Sequence, residues 1–148
     1  MRISVKCSRA LHILTLLAVF PEQKFTSEKL AKSVGCNPVC IRTLLGLLKE
    51  AGFVKVQSGT GGATLIASPE KTTLYDVYAA VDKADLNELI SLHPNPAQEC
   101  PVGRNMYTLL EKPYMQVASA VKEEMKKHTL QQMIDNYYVI EREQKVLK

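Results

Sequence analysis

The chain has 148 residues, 46% hydrophobic and 23% charged, with a formal net charge of +4. This composition is typical of a globular protein and excludes an intrinsically disordered one, and the length fits one domain with or without an appended helical arm. The longest apolar stretch, residues 10–20, is too short to span a bilayer, and no signal-peptide cleavage site follows it. We therefore expect a soluble, cytoplasmic protein without a membrane partner.

The positive charge is concentrated in the first half of the chain. Residues 1–69 contain nine Lys/Arg and three Glu, a net charge of +6, whereas residues 70–148 have a net charge of −2. A basic half of this kind is typical of a nucleic-acid-binding face. The four cysteines are too few and too irregularly spaced for a disulfide framework, so we expect thiols, ligands or sensors.

Helical periodicity predicts three helices in the first 52 residues. The first covers about residues 8–20 and ends at Pro21. The second covers residues 27–34, with Thr26 as its N-cap and Gly35 after its last turn. The third begins at Pro38 after the N-cap Asn37, and Gly52 closes it. Two helices joined by a short turn, the second and third here, form a helix-turn-helix whose third helix reads DNA.

A β-hairpin follows directly. Residues 53–56 and 63–66 are β-prone, and the Gly-rich segment 57–62 separates them. A helix-turn-helix followed by such a hairpin is a winged helix. The hairpin tip lacks the Lys-Ser/Thr of a phosphate-binding loop and precedes no helix, so we expect no nucleotide site there.

The second half of the chain is predicted to be helical. One helix, capped by Thr72 or Thr73, continues to Val81; residues 84–92 are ambiguous, and a Pro-rich loop extends to about residue 101. A long helix follows over about residues 102–127, with an expected kink or local break at Pro113. Its apolar residues recur at steps of three and four, which is typical of a seam for a partner helix from a second copy of the chain. This seam, the predicted homodimer interface, consists of Met106, Leu110, Tyr114, Val117, Val121 and Met125. Thr129 is expected to cap a short last helix, with a frayed tail from Tyr137 onward.

The predicted fold is therefore mainly α with a small β-hairpin wing: a winged helix-turn-helix domain plus a long C-terminal dimerisation helix. Its boundaries are 1–82 for the DNA-binding domain, 83–101 for a linker or sensor loop, and 102–148 for the dimerisation helix and C-terminal helix.

The third helix indicates which residues contact DNA. Its core side holds Ile41, Leu45 and Leu48, so the opposite side carries Val39 and Thr43, with Arg42 at its edge. Arg42 and Thr43 are the expected base contacts in the major groove. The other predicted DNA-binding residues are Lys6, Arg9, Ser27 and Asn37 at phosphates, and Gly59, Thr60 and Gly61 in the wing.

Several segments resemble one family of bacterial regulators. The runs 26–38, 44–54, 59–62 and 73–81 are similar, in this order, to the helix-turn-helix, wing and following helix of the Rrf2 family, which contains IscR, NsrR and CymR. The resemblance covers about the first 82 residues most strongly. It implies a homodimer in which two winged helices read a palindromic operator and the long helices cross at the interface. It also implies an iron–sulfur cluster for many members, held in the loop before the long helix.

The chain departs from the cluster-binding pattern. Cluster-binding members have three cysteines about six residues apart in this loop; if Cys100 is the third, the other two positions fall near Glu88 and Pro94. One thiolate, even with His93, cannot supply the ligands of a cluster, so we expect no cofactor. Cys36 and Cys40 form a C-x3-C pair without further ligands, and we interpret them as packing residues and expect no metal site. A second departure is Ser58, where members often have Arg.

No catalytic constellation is found, so we expect no enzyme. The sequence predicts a sequence-specific DNA-binding regulator that acts as a repressor on a double-stranded palindromic operator. Two alternatives remain open at this stage. One is a redox or small-ligand sensor that is switched through Cys100, with His93 nearby; the other is a protein-interaction adaptor that does not bind DNA.

Overall fold

The computed structural model describes residues 4–83, 85–88 and 90–147, with the side chains of Thr60 and Asn87 outside the description. The elements in this part of the chain are α1 (Val5–Val19), α2 (Ser27–Val34), α3 (Pro38–Glu50), β1 (Val54–Gln57), β2 (Gly62–Leu65), α4 (Leu74–Val81), α5 (Met106–Met125) and α6 (Leu130–Val146). The predicted fold, mainly helical with a two-stranded hairpin, is confirmed. No helix of the described residues is both long enough and apolar enough to cross a membrane.

The first three helices begin where a polar side chain caps them. Thr26 caps α2 and Asn37 caps α3, as predicted, by accepting the backbone N–H groups of Lys29 and Cys40. Helix α1 begins three residues before the predicted start because Ser4 caps it and accepts the N–H of Lys6. These helices enclose the core of the N-terminal half of the chain, which includes the fully buried side chains of Ile13, Leu14, Leu30, Ile41 and Leu48.

The wing is an antiparallel hairpin in which Val54 pairs with Leu65 and Gln57 with Gly62. The segment before α2 joins it, because Ala63 donates its N–H to the carbonyl of Phe25 at 3.1 Å. Gly62 makes this junction possible: it has a φ of 74°, and a Cβ there would lie 2.8 Å from the Phe25 carbonyl oxygen. The hairpin is thus attached to the segment before α2 near its turn, at the Gln57–Gly62 end.

Helices α4 and α6 meet at their N-termini. Thr73 and Thr129 each cap their helix through a capping box, and the two residues also form a β-bridge. On either side of this bridge, Leu74 donates its N–H to the carbonyl of His128 at 2.9 Å, and Leu130 donates to Thr72 at 2.8 Å. Thr73, one of two predicted candidates, is therefore the N-cap of α4. The bridge ties the C-terminal half of the chain to the DNA-binding domain.

Helix α5 continues through Pro113, so the expected break at that residue is wrong. Proline removes one backbone hydrogen bond, the one to the carbonyl of Leu109. Leu109 and Pro113 are both exposed, which leaves that carbonyl on the solvent side of the helix. Water can then replace the missing donor, and the other turns of a 20-residue helix hold its path.

The prediction of a short last helix is also wrong, because α6 has 17 residues. Its middle packs on α1, where the rings of Phe20 and Tyr137 lie 6.5 Å apart in an edge-to-face arrangement. The Tyr138 ring lies 5.3 Å from that of Tyr137. Tyr137, where the tail was expected to begin fraying, therefore packs against the end of α1, whereas Tyr138 is 48% exposed.

Candidate nucleic-acid interface

Helix α3 is buried on one side and exposed on the other, as its sequence predicts. Ile41, Leu44, Leu45 and Leu48 are buried in the core. Val39 is 66% exposed, and Arg42 and Thr43 are exposed. The exposed side lies on the N-terminal half of α3, the part of a recognition helix that contacts base edges.

Arg42 is held by a partner on the preceding helix. Its Nη2 donates to Oε1 of Glu28 at 3.0 Å, and both side chains are largely exposed. Glu28 lies in the first turn of α2, where its carboxylate also faces the positive end of the helix dipole. An exposed ion pair contributes only about 0–1 kcal/mol, so this contact orients Arg42 without making it unavailable to a base.

Two further predicted DNA-contacting residues have local roles in α3. The Thr43 hydroxyl donates to the carbonyl of Val39 at 3.1 Å, which fixes its rotamer and leaves its lone pairs facing outward. Asn37 is exposed, and its Oδ1 accepts the N–H of Cys40 at 2.8 Å. Asn37 therefore caps the helix, and its remaining amide N–H groups are the donors that a phosphate could accept. Ser27, the first residue of α2, is half-buried.

The predicted phosphate-binding residues on α1 differ from one another. Lys6 is exposed in the first turn of α1. Arg9 is half-buried, and its Nη1 donates to Sγ of Cys40 at 3.5 Å, which brings it beside the start of α3. Sequence reasoning missed this hydrogen bond, because residues 31 positions apart show no periodic relationship.

The wing tip is a single 3-10 turn, Gly59–Gly61. Gly59 is exposed with a φ of 74°, Gly61 is half-buried, and the Thr60 side chain lies outside the described residues. Lys55 on β1 is exposed and is a cation of the wing itself.

The predicted sensor residues lie just before α5, and both are exposed. Sγ of Cys100 accepts the backbone N–H of Gly103 at 3.4 Å. This hydrogen bond and that from Val102 lower the pKa of the Cys100 thiol. The carbonyl of His93 accepts the hydroxyl of Tyr107 at 3.0 Å, which fastens the loop to α5.

One side of α5 is covered by its own chain. Ala118 and Met125 are buried, and Met106, Leu110, Tyr114 and Val121 are half-buried along the same stripe. Met125, predicted at the dimer interface, is thus part of this chain's own core. The adjacent face is apolar and exposed: it carries Leu109, Pro113, Val117 and Ala120, at steps of three and four. Of the predicted seam, Val117 belongs to this exposed face; Leu109 was not predicted.

The comparisons with known proteins agree with this arrangement. The family described as "Rrf2: Iron-dependent Transcriptional regulator" matches residues 3–136. YwnA of Bacillus subtilis, named as an HTH-type transcriptional regulator, is 33% identical over 136 residues, covering 92% of this chain and 99% of YwnA. A crystal structure titled as that of a DNA-binding protein is 32% identical with a TM-score of 0.69, covering 87% of this chain and 98% of its own.

More distant structures share the fold. CymR, titled the global cysteine regulator of B. subtilis, is 21% identical with a TM-score of 0.64, covering 91% of this chain and 97% of its own. IscR of T. potens is 18% identical with a TM-score of 0.67, covering 93% of this chain and 88% of its own.

The residues of this chain do not fit the iron in that family description. The loop 83–101 contains Cys100 as its one cysteine. Among the described residues, no three His, Cys, Asp or Glu side chains form a group that could hold a metal ion. Since thiolates are the ligands that iron–sulfur clusters require, this loop lacks the chemistry to hold one.

Proposed function

The chain belongs to the Rrf2 family of transcriptional regulators, and from this premise we propose that it is a repressor that binds a palindromic DNA operator as a homodimer. The observation that carries the proposal is the exposed N-terminal half of α3, with Arg42 held outward beside Val39 and Thr43. In a winged helix this is the surface that enters the major groove. Repression follows when such a dimer occupies a site that RNA polymerase needs.

The exposed apolar face of α5 supports the dimer. Leu109 is 58% exposed and Val117 43% exposed, on a helix whose other side is already covered. A monomer gains nothing from an apolar stripe in water, whereas burying it against the same stripe of a second copy is favourable. Helices that pair in this way place two copies of α3 in symmetric positions, as a palindromic operator requires.

DNA binding can be tested on the full-length protein with DNA from upstream of its own gene and with a duplex selected from a random pool. Fluorescence anisotropy gives the affinity, footprinting gives the symmetry of the protected site, and sedimentation gives the stoichiometry. We expect two chains on one symmetric site and, in transcription assays in vitro, fewer transcripts from that promoter. Binding of neither DNA would refute the proposal and favour the adaptor. One chain per site would refute the dimer alone, and more transcripts would refute repression alone.

The lowered pKa of Cys100 favours a second proposal, that this thiol senses an oxidant or a thiol-reactive ligand. Cys100 lies just before α5, so a modification there can change the orientation of the proposed dimer helix relative to the loop. The test uses a Cys36→Ser/Cys40→Ser background, in which Cys100 is the one exposed cysteine. Oxidised glutathione should change its DNA affinity, and the further change Cys100→Ser should abolish the response. An equal response in both proteins would exclude Cys100.

A further inference from the structure

Two cysteines lie on either side of the N-cap of the recognition helix. Cys36 follows Gly35, whose φ of 78° turns the chain after α2, and Cys40 lies in the first turn of α3. Asn37 lies between them, and its side chain accepts the N–H of Cys40 as the N-cap of α3. The side chain of Cys40 lies within reach of the Cys36 thiol and contributes to its raised pKa, and both residues are half-buried.

We propose that Cys36 and Cys40 form a dithiol modification site, which a low-molecular-weight disulfide oxidises to an intramolecular disulfide. The pair is independent of Cys100, which lies in another part of the chain. DNA binding in this proposal rests on the proposed function, whereas formation of the disulfide does not.

The surroundings assign a role to each sulfur. The sulfur of Cys40 accepts a hydrogen bond from the Arg9 guanidinium at 3.5 Å. Burial and the neighbouring Cys40 raise the pKa of Cys36, although Arg9 opposes the shift. Cys36 therefore keeps its proton while Cys40 is the attacking sulfur.

The exchange then proceeds in two displacements. The Cys40 thiolate attacks one sulfur of the reagent, the reagent's S–S bond breaks, and one thiolate leaves. That thiolate takes the proton of Cys36, which attacks Sγ of Cys40 and displaces the second thiolate. The second thiolate takes up from solvent the proton that Cys40 released, so two protein thiols are oxidised to one disulfide and the reagent is reduced to two thiols.

The new bond changes the surface that faces DNA. It closes a ring over residues 36–40, which contains the cap Asn37 and the exposed Val39. It also changes the sulfur that accepts the hydrogen bond of the Arg9 guanidinium. The geometry of a disulfide is narrow, so the start of α3 must adjust to it. We expect the oxidised protein to bind operator DNA at least tenfold more weakly.

The experiment uses full-length Cys100→Ser protein, treated with oxidised glutathione and then with a reductant. Intact mass and peptide mapping identify the product, and fluorescence anisotropy with the selected duplex measures the affinity. We expect a Cys36–Cys40 disulfide, the tenfold loss of affinity, and recovery on reduction. Cys36→Ser and Cys40→Ser in the same background should retain their affinity, and Cys36→Ala and Cys40→Ala replace any serine variant whose circular dichroism shows misfolding.

Each contrary outcome has its own meaning. Absence of the Cys36–Cys40 peptide, under conditions that fully modify Cys100 in the wild type, would overturn the proposal. A disulfide that leaves the affinity within twofold of the reduced protein would overturn its effect on binding. A reduced protein that binds no DNA would refute the proposed function instead, and peptide mapping would still decide whether the dithiol site exists.

Discussion

The guanidinium of Arg42 on α3 and the carboxylate of Glu28 on α2 form an ion pair of 3.0 Å across the helix-turn-helix. The pair connects Arg42, the residue best suited to contact a base, with the carboxylate of Glu28 at the beginning of α2. To reach a base edge, Arg42 must give up this partner. Because both side chains are exposed, the cost is about 0–1 kcal/mol. In the proposed complex with DNA, Glu28 therefore tunes how readily Arg42 reaches a base.

We expect Glu28→Gln to strengthen operator binding by up to about fivefold, the equivalent of about 1 kcal/mol, because Arg42 no longer breaks an ion pair. Titration of each protein on the selected duplex measures the effect. The control is the same substitution in an Arg42→Ala background, where the gain should vanish. A gain of equal size in both backgrounds would mean that Glu28 acts on the phosphates directly.

Arg42→Ala and Thr43→Ala should weaken operator binding by about 1–3 kcal/mol each, because each removes a base contact. Their affinity for unrelated DNA should change little. Lys6→Ala is the matched control: Lys6 is exposed on α1, and its removal should weaken binding to all DNA to a similar extent. The ratio of operator to non-operator affinity distinguishes the two classes. Equal ratios in all three variants would show that α3 is not the reader.

Operator binding should fall steeply with salt. If a dimer neutralises about 6–10 phosphates, raising the salt from about 50 to 200 mM should lower the affinity roughly 10³–10⁵-fold. The slope of log affinity against log salt, measured by anisotropy, tests this. Lys6→Ala should make the slope shallower by about one for each phosphate that its ammonium group neutralises in the wild type. A flat dependence would contradict an interface that binds phosphates.

The parts of this fold that sequence predicts are those determined by local chemistry. Thr26, Gly35 and Asn37 determine the ends of α2 and α3, since a cap acts on residues within one turn. Interactions between distant segments leave no such trace. The Arg9–Cys40 hydrogen bond and the Thr73–Thr129 bridge join residues far apart in the sequence, so no spacing reveals them.

The apolar pattern of α5 shows the same limit. Periodicity identifies a helix with an apolar stripe, but it does not distinguish a stripe covered by the chain itself from one left for a partner. Met125 is covered by the chain itself, whereas Leu109 is 58% exposed. The exposed fractions of the side chains, which need the tertiary structure, separate the two.

Leu109→Glu and Val117→Glu should each convert the dimer to monomers, since a carboxylate would be buried at the proposed helix contact. Their thermal unfolding should change little, because both side chains are exposed within the chain. Met125→Ala is the reverse control: it leaves a cavity in the core, costs about 2–5 kcal/mol of unfolding free energy, and preserves the α5 face. Sedimentation and thermal denaturation measure the two effects. A dimeric Leu109→Glu/Val117→Glu double variant would locate the interface elsewhere.

Gly62→Ala should destabilise the fold, since its Cβ would lie 2.8 Å from the Phe25 carbonyl oxygen, which accepts the N–H of Ala63, and since its ψ of −171° belongs to a region that only glycine adopts readily. Gly59→Ala is the control for a positive φ alone: it has the same φ of 74°, and no heavy atom lies within 4 Å of its Cβ position. Gly59→Ala should cost about 1 kcal/mol of left-handed backbone strain, and Gly62→Ala distinctly more. Denaturant titration compares them. Equal destabilisation by the two substitutions would show that the Phe25 backbone yields to the added methyl group.

Alkylation should distinguish Cys100 from Cys7 by pH. Backbone N–H groups lower the pKa of Cys100, whereas burial and Asp82 raise the pKa of Cys7 to about 11. Since the thiolate is the reacting form, Cys100 should reach half its maximal rate with iodoacetamide at a lower pH than an unstructured cysteine peptide does. Cys7 should stay unmodified until the pH approaches 11.

The same pKa shifts also make the stability of the fold depend on pH. A lowered thiol pKa, as at Cys100, stabilises the fold above that pKa. A raised thiol pKa, as at Cys7, destabilises the fold as the pH rises past the pKa of the unfolded chain. Peptide mass spectrometry at each pH measures both alkylation rates. Equal pH profiles for Cys100 in the native and urea-unfolded protein would show that this loop does not activate its thiol.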